Sequence, residues 1–395
     1  MDKKVYLDAA ATTYINNQVL AEMMPVLTTE YGNPNSLHTF GQNAKRYLDT
    51  ARKRVADGIG AEPSEIYFTS GGTEADNWAI IGLARANKDK GNHIITSKIE
   101  HHAILDACKQ LEKEGFKVTY LPVDKYGIVS LSALMHEIRK DTILVSIMVA
   151  NNEVGTIQNL NAIARTVKEK DIIFHCDAVQ ALGNIHLNVN ELNIDAMSLS
   201  SHKIYGPTGA GALYVRKGIK IDSLLKGGSQ ESGKRGGTVN LPAIVGFGKA
   251  VELVTKDVTG NAQKLRHLRE YFTKRVMEKI DHVHLLGHPH QRLPGMVTLS
   301  FEFVEGEALL MLLDMSGIAV STGSACTSNS LDPSHVLMAM NIEHDLAQTA
   351  VRFSIAKNVT KEDLDYVVNE LVKHVKKLRE ISPLHISVVD DKEGE

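Results

Sequence analysis

The chain has 395 residues, of which 43% are hydrophobic and 23% charged, and a formal net charge of -3. That length favours more than one structural unit and can bury a core without disulfides or a structural metal. The charge offers no basic field for nucleic acid or an anionic membrane.

The start, Met1-Asp-Lys-Lys-Val5, lacks the apolar stretch of a signal peptide, and no apolar run is long enough to span a bilayer. Three scattered cysteines, Cys108, Cys176 and Cys326, form neither a disulfide framework nor a zinc-binding pair. A reducing cytoplasm is therefore the expected compartment.

Between about residues 60 and 217, short β-branched runs alternate with amphipathic stretches. Residues 66–70 read as a strand and 73–86 as a helix after Gly71-Gly72. A strand over 93–97 and a helix over 102–114 follow, then strands over 116–123, 142–150 and 172–175. Helical patterns occupy 132–139 and 162–168. Such alternation predicts a mostly parallel sheet covered by helices on both faces, with ligands at the carboxyl ends of its strands.

The remainder reads as a helix over 260–280, a strand over 296–302, a helix over 306–316, a strand over 351–356 and a helix over 361–380. The fold class is thus α/β, a large mostly parallel-sheet domain plus a smaller α+β domain. The expected division is 16–257 for the large domain, with 1–15 and 258–395 in the small one. The lysine-rich stretch 373–379 reads as a solvated helix face, and the acidic end, 389–395, as a frayed tail.

Four clusters ask for more than packing. Thr69-Ser-Gly-Gly-Thr-Glu74 is a glycine-rich strand-to-helix turn suited to phosphate, although a plain tight turn fits it equally well. His175-Cys-Asp-Ala-Val-Gln180 closes a strand, and on its own reads as a capping aspartate beside a buried Cys176. Ser198-Leu-Ser-Ser-His-Lys203 ends an apolar strand in a lysine that is costly to bury, which lowers its pKa and suits it to Schiff-base chemistry; a lysine snorkelling to the surface is the alternative. Ser321-Thr-Gly-Ser-Ala-Cys326-Thr-Ser-Asn-Ser330 places a thiol among small polar residues that pack no core, as a reacting sulfur requires. Glu100-His101-His102 adds an imidazole able to stack on a flat cofactor or relay protons. No third cluster completes a metal site, and none is expected.

Together these motifs resemble the cysteine desulfurase family of the NifS/IscS type, which are fold-type-I pyridoxal-phosphate enzymes. The likeness runs from Tyr6-Leu-Asp-Ala-Ala-Ala-Thr-Thr13 and Tyr31-Gly-Asn-Pro-Asn-Ser-Leu-His38 through Thr69–Asn77, Glu100-His101 and Ala150-Asn-Asn-Glu-Val-Gly155. It continues through Asp177–Gln180, His202-Lys203-Ile-Tyr-Gly-Pro207, Arg235-Gly-Gly-Thr238, Gly323-Ser-Ala-Cys326 and Val351-Arg-Phe353. The short cysteine motif is similar to the group that feeds iron–sulfur scaffold proteins rather than to the SufS-like group. Ala9 departs from the polar residue usual there.

The resemblance implies a role for each matching residue. Lys203 would form the Schiff base with pyridoxal 5'-phosphate, Asp177 pair with the ring nitrogen, Gln180 contact the phenolic oxygen and His101 stack on the ring. Gly72, Thr73, Ser200 and His202 would hold the phosphate, joined by Thr238 from the partner of a homodimer. Asn152 would contact cofactor or substrate, and Arg352 would clamp the carboxylate of L-cysteine. Cys326 would carry the sulfur as a persulfide to an iron–sulfur scaffold protein of the IscU or NifU kind, or to another acceptor. It would meet iron only transiently, on the partner's nascent cluster. A selenocysteine lyase or a fold-type-I aminotransferase is the alternative.

Overall fold

The computed structural model describes residues 3–322 and 333–382. Cys326 and most of its serine-rich stretch lie outside the described residues, as does the acidic tail.

The chain opens on β1 (Val5–Tyr6) and then builds a seven-stranded sheet. Its strands are β2 (Ile66–Thr69), β3 (His93–Ser97), β4 (Lys117–Leu121), β5 (Thr142–Ser146), β6 (Ile173–Asp177), β7 (Ala196–Ser200) and β8 (Gly211–Val215). The spatial order is β2-β8-β7-β6-β5-β3-β4, with β8 antiparallel to both of its neighbours and every other strand running the same way. β3, β5, β7 and β8 are buried along their whole length, as a sheet covered on both faces demands.

Helices α3 (Gly72–Asn77), α4 (Leu83–Ala86) and α5 (His102–Lys113) pack on one face. A π-helical turn, Trp78–Gly82, joins α3 to α4. On the other face lie α1 (Asn17–Thr28), α2 (Thr39–Ile59), α6 (Leu131–Glu137), α7 (Leu160–Lys168) and α8 (Leu241–Thr255). Two thirds of α8 is buried, and it packs against α1 and α2. At their crossing a Cβ on Gly248 would stand 2.6 Å from the Ala51 Cα, so only glycine allows this approach.

A second core gathers α9 (Val258–Lys279), α10 (Gly306–Met315) and α13 (Lys361–Glu380) around a smaller sheet, β12-β13-β10-β9. Those strands are β9 (Val283–Leu286), β10 (Met296–Phe301), β12 (Ser321–Thr322) and β13 (Ala350–Ser354). β1 pairs in parallel with β11 (Ile318–Ala319), and Val5 and Leu7 enter this core. Two short helices between its strands, α11 (His335–Ala339) and α12 (His344–Gln348), instead put Val336, Leu337 and Ala347 into the core of the large sheet.

One reading of the sequence needs correction. Arg379 does not belong to a solvated face: it is 8% exposed and its guanidinium donates to the carbonyls of Glu302 and Asp281. The long side chain at the end of α13 is spent on satisfying backbone that would otherwise be orphaned.

The loop before α8 is pinned by Glu231. Its buried carboxylate takes a bidentate ion pair from Arg52 at 2.7 and 2.8 Å and the Phe68 amide at 2.8 Å. Removing one partner of a buried pair strands the other. Glu231→Ala is therefore expected to lower the free energy of unfolding by about 3 kcal/mol, read as a shift of the urea midpoint.

Candidate active site

The carboxyl ends of β2, β3, β5, β6 and β7 share one edge of the large sheet, and a cavity of about 360 Å³ opens there. It is lined by Gly72, Thr73, His101, Asn152, Asp177, Gln180, Ser200, His202, Lys203 and Arg352. Residues from 72 to 203 thus meet in one place because the parallel strands deliver their ends to the same side, and β13 of the smaller sheet adds Arg352.

Lys203 leaves the end of β7, and its Nζ donates to the carbonyls of Ala10 and Ala11 at 2.6 and 2.7 Å. Gln180 donates to the same Ala10 carbonyl at 2.9 Å. Asp177 ends β6 and accepts the Val179 amide at 2.8 Å. Burial pushes its carboxyl up to about 6, with the Val179 amide and the Lys203 charge opposing. His101 caps α5: its Nδ1 accepts from the Ala103 amide at 3.1 Å, which leaves the ring proton on Nε2. Burial first, then the Lys203 cation, pull its pKa down to about 4. The same two causes bring His202 to about 4.

Arg352 comes from β13 and is 5% exposed. It donates to the Asn152 carbonyl at 2.8 Å and pairs with Asp8 at 2.9 Å, while its Nε has no partner. Sequence reasoning gave Asp8 no role, since 344 positions separate it from the arginine it orients. Asp76, also on the cavity wall, was likewise missed.

Two assigned residues stand apart. Thr238 is exposed and does not line the cavity. Cys326 lies outside the described residues, but the flank that leads into its segment is at the site. Ser321 pairs with Arg352 across β12 and β13 and lines the cavity. Ser334, on the other side, hydrogen-bonds the buried carboxylate of Glu153, next to Asn152. Cys108 and Cys176 are fully buried, and burial pushes the first thiol up to about 12 and the second well above its ordinary value.

The class-V aminotransferase family profile matches residues 5–367. The cysteine desulfurase IscS of Methanosarcina thermophila is 53% identical over 383 residues, covering 97% of this chain and 95% of that protein. The chain belongs to the cysteine desulfurase family. A solved NifS-like protein superposes with a TM-score of 0.90 at 40% identity, covering 95% of this chain and all of that one. A structure titled SspA in complex with cysteine does so at 0.79 and 36% identity, over 89% of this chain and 99% of that one. The fold is accordingly the fold-type-I architecture, and the chain is an enzyme.

Enzymes of this family use pyridoxal phosphate. The cavity suits that group on its own evidence. Ser200 presents a buried hydroxyl with no hydrogen-bond partner. A Cβ on Gly72 would lie 2.7 Å from a Val179 methyl, so the turn stays narrow and keeps its backbone open to an anion. The first turn of α3 supplies amides that a helix leaves unsatisfied.

Proposed function

We propose that this protein binds pyridoxal 5'-phosphate in the cavity and uses it to move the sulfur of L-cysteine onto Cys326, releasing L-alanine. What carries this reading is the convergence of Lys203, Asp177, His101 and Arg352 on one cavity whose wall includes Ser321, which leads into the Cys326 segment. Support for the substrate comes from the SspA structure, which is a complex with cysteine.

Lys203 would hold the cofactor covalently, Asp177 face its ring nitrogen, Gln180 its phenolic oxygen and His101 its ring. Gly72, Thr73, Ser200 and His202 would hold its phosphate. The exposed Thr238 fits a contact to the site of a second copy in a homodimer. When bound, the cofactor supplies an electron sink for negative charge formed at the substrate's Cα.

Arg352, aimed by Asp8, binds the substrate carboxylate, and Asn152 lies beside it. The Lys203 amine, once free, takes the proton from Cα. His101, neutral at pH 7, is able to accept or return a proton at the substrate thiol. The Cys326 thiolate then forms an S–S bond to the substrate sulfur as the Cβ–S bond breaks, the electron pair returning to carbon. Two protons delivered at carbon complete alanine, and Cys326 is left as a persulfide. An iron–sulfur scaffold protein in the cytoplasm is the acceptor this reading favours. We place the domain boundary near residues 15 and 257 on the same reading.

The test is product identity. Cysteine and a thiol reductant should yield alanine and sulfide in equal amounts; pyruvate with conversion of the cofactor would instead indicate an aminotransferase. Arg352→Lys should raise KM for cysteine about tenfold or more, because a lysine cannot reproduce the paired contact.

A further inference from the structure

Helix α3 carries a carboxylate that none of these roles uses. Asp76 is 2% exposed and lines the same cavity as Asp177. Its Oδ1 has no hydrogen-bond partner. The Ser198 hydroxyl is one polar contact of this carboxyl, and Asp177 stands near enough for its charge to act on it. Behind Ser198 stands His175, whose Nε2 is 3.0 Å from Ser198 Oγ and whose Nδ1 is 2.9 Å from Ser146 Oγ. This is an uncharged row crossing β7, β6 and β5. Asp177 is better served, with the Val179 amide at 2.8 Å and the Lys203 charge on its side.

Two carboxylates facing one buried cavity do not both ionise cheaply, since the second charge meets desolvation and the repulsion of the first. The donor and the cation both favour the charge on Asp177. We propose that Asp76 is a positioning residue that holds the pair's one proton at neutral pH and offers it to Asp177, leaving Asp177 as the single carboxylate charge turned to the cofactor ring.

The groups around Asp76 agree with this assignment. Burial first and then the Asp177 charge push its carboxyl well above the ordinary range, with the Ser198 hydroxyl opposing. Glu100, after β3, is itself pushed up to about 8 by burial, and His175, on β6, down to about 3, so both are neutral at pH 7. Lys203 acts on Asp177. The ring contact rests on the proposed function, whereas the proton's place concerns the protein alone.

Asp76→Asn replaces a neutral acid with a neutral amide of the same shape, while Asp76→Ala removes the donor. Equilibrium dialysis should give a cofactor dissociation constant raised about tenfold in Asp76→Ala, the loss of one hydrogen bond to a charged group. The asparagine variant should restore it to within about threefold of wild type. In cofactor-free protein the folded state holds a proton that the unfolded aspartate releases near 3.9. Wild type should therefore lose stability relative to Asp76→Asn as pH rises from about 4. By pH 8 the variant's Tm should be higher by about 2 °C or more.

Infrared difference spectra, wild type minus Asp76→Asn at pH 7, should show the carbonyl band of a protonated carboxylic acid. A missing acid band would overturn the proposal. So would a Tm difference that is the same at pH 5 and pH 8, or an asparagine variant that binds cofactor as poorly as the alanine one. If the acid band and the pH trend appear in protein that binds no pyridoxal phosphate, the proton's place stands and the proposed function fails.

Discussion

Lys203→Ala is expected to cut sulfur release from cysteine by about a thousandfold or more and to abolish covalent retention of the cofactor. The amine is presented at the end of β7, where the Ala10 and Ala11 carbonyls hold Nζ at 2.6 and 2.7 Å. Among the described residues, no other lysine lines this cavity. Lys203→Arg keeps the charge but has no amine able to add to a carbonyl, so it should be equally inactive; this separates a chemical role from an electrostatic one. Borohydride reduction of wild type should fix the cofactor's mass to the Lys203 peptide. Sulfide production at the wild-type rate by either variant would remove Lys203 from the mechanism.

Cys326→Ser should be as severe, but at a different point. It should retain the cofactor and bind cysteine, since Lys203, Asp177 and Arg352 are untouched, yet release sulfide about a thousandfold more slowly or worse. Cys108→Ala and Cys176→Ala should turn over at close to the wild-type rate. Both thiols are fully buried, and burial holds them protonated near neutral pH, so neither offers a thiolate to the substrate.

Much of the fold was legible because parallel strands announce themselves as short β-branched runs between amphipathic helices. The strand at Ile66–Thr69 and the helix at Lys361–Glu380 both appear where the pattern put them. Helix α8 was not read, because ten of its fifteen residues are buried and no polar face marks a helical period. Helix α2 has such a face, but it precedes the alternating region on which the reading rested.

In the cavity, Lys203, Asp177 and Arg352 were recognisable from motif order, which survives without knowledge of packing. Asp8 and Asp76 were not. Asp8 acts by pairing with an arginine at the other end of the chain. Asp76 reads as an ordinary polar residue of a short helix until its burial is known. Thr238 points to a neighbour's site only if a second copy is present, and a single sequence carries no sign of that copy beyond the Arg235–Thr238 motif itself.

The central claim is that sulfur passes through Cys326. After one turnover of cysteine without reductant, the digested protein should carry one added sulfur atom, by mass spectrometry, on the peptide containing Cys326, and none on those containing Cys108 or Cys176. Added sulfur on either buried thiol, or full conversion of cysteine to alanine and sulfide with an unmodified Cys326 peptide and an active Cys326→Ser variant, would contradict the account.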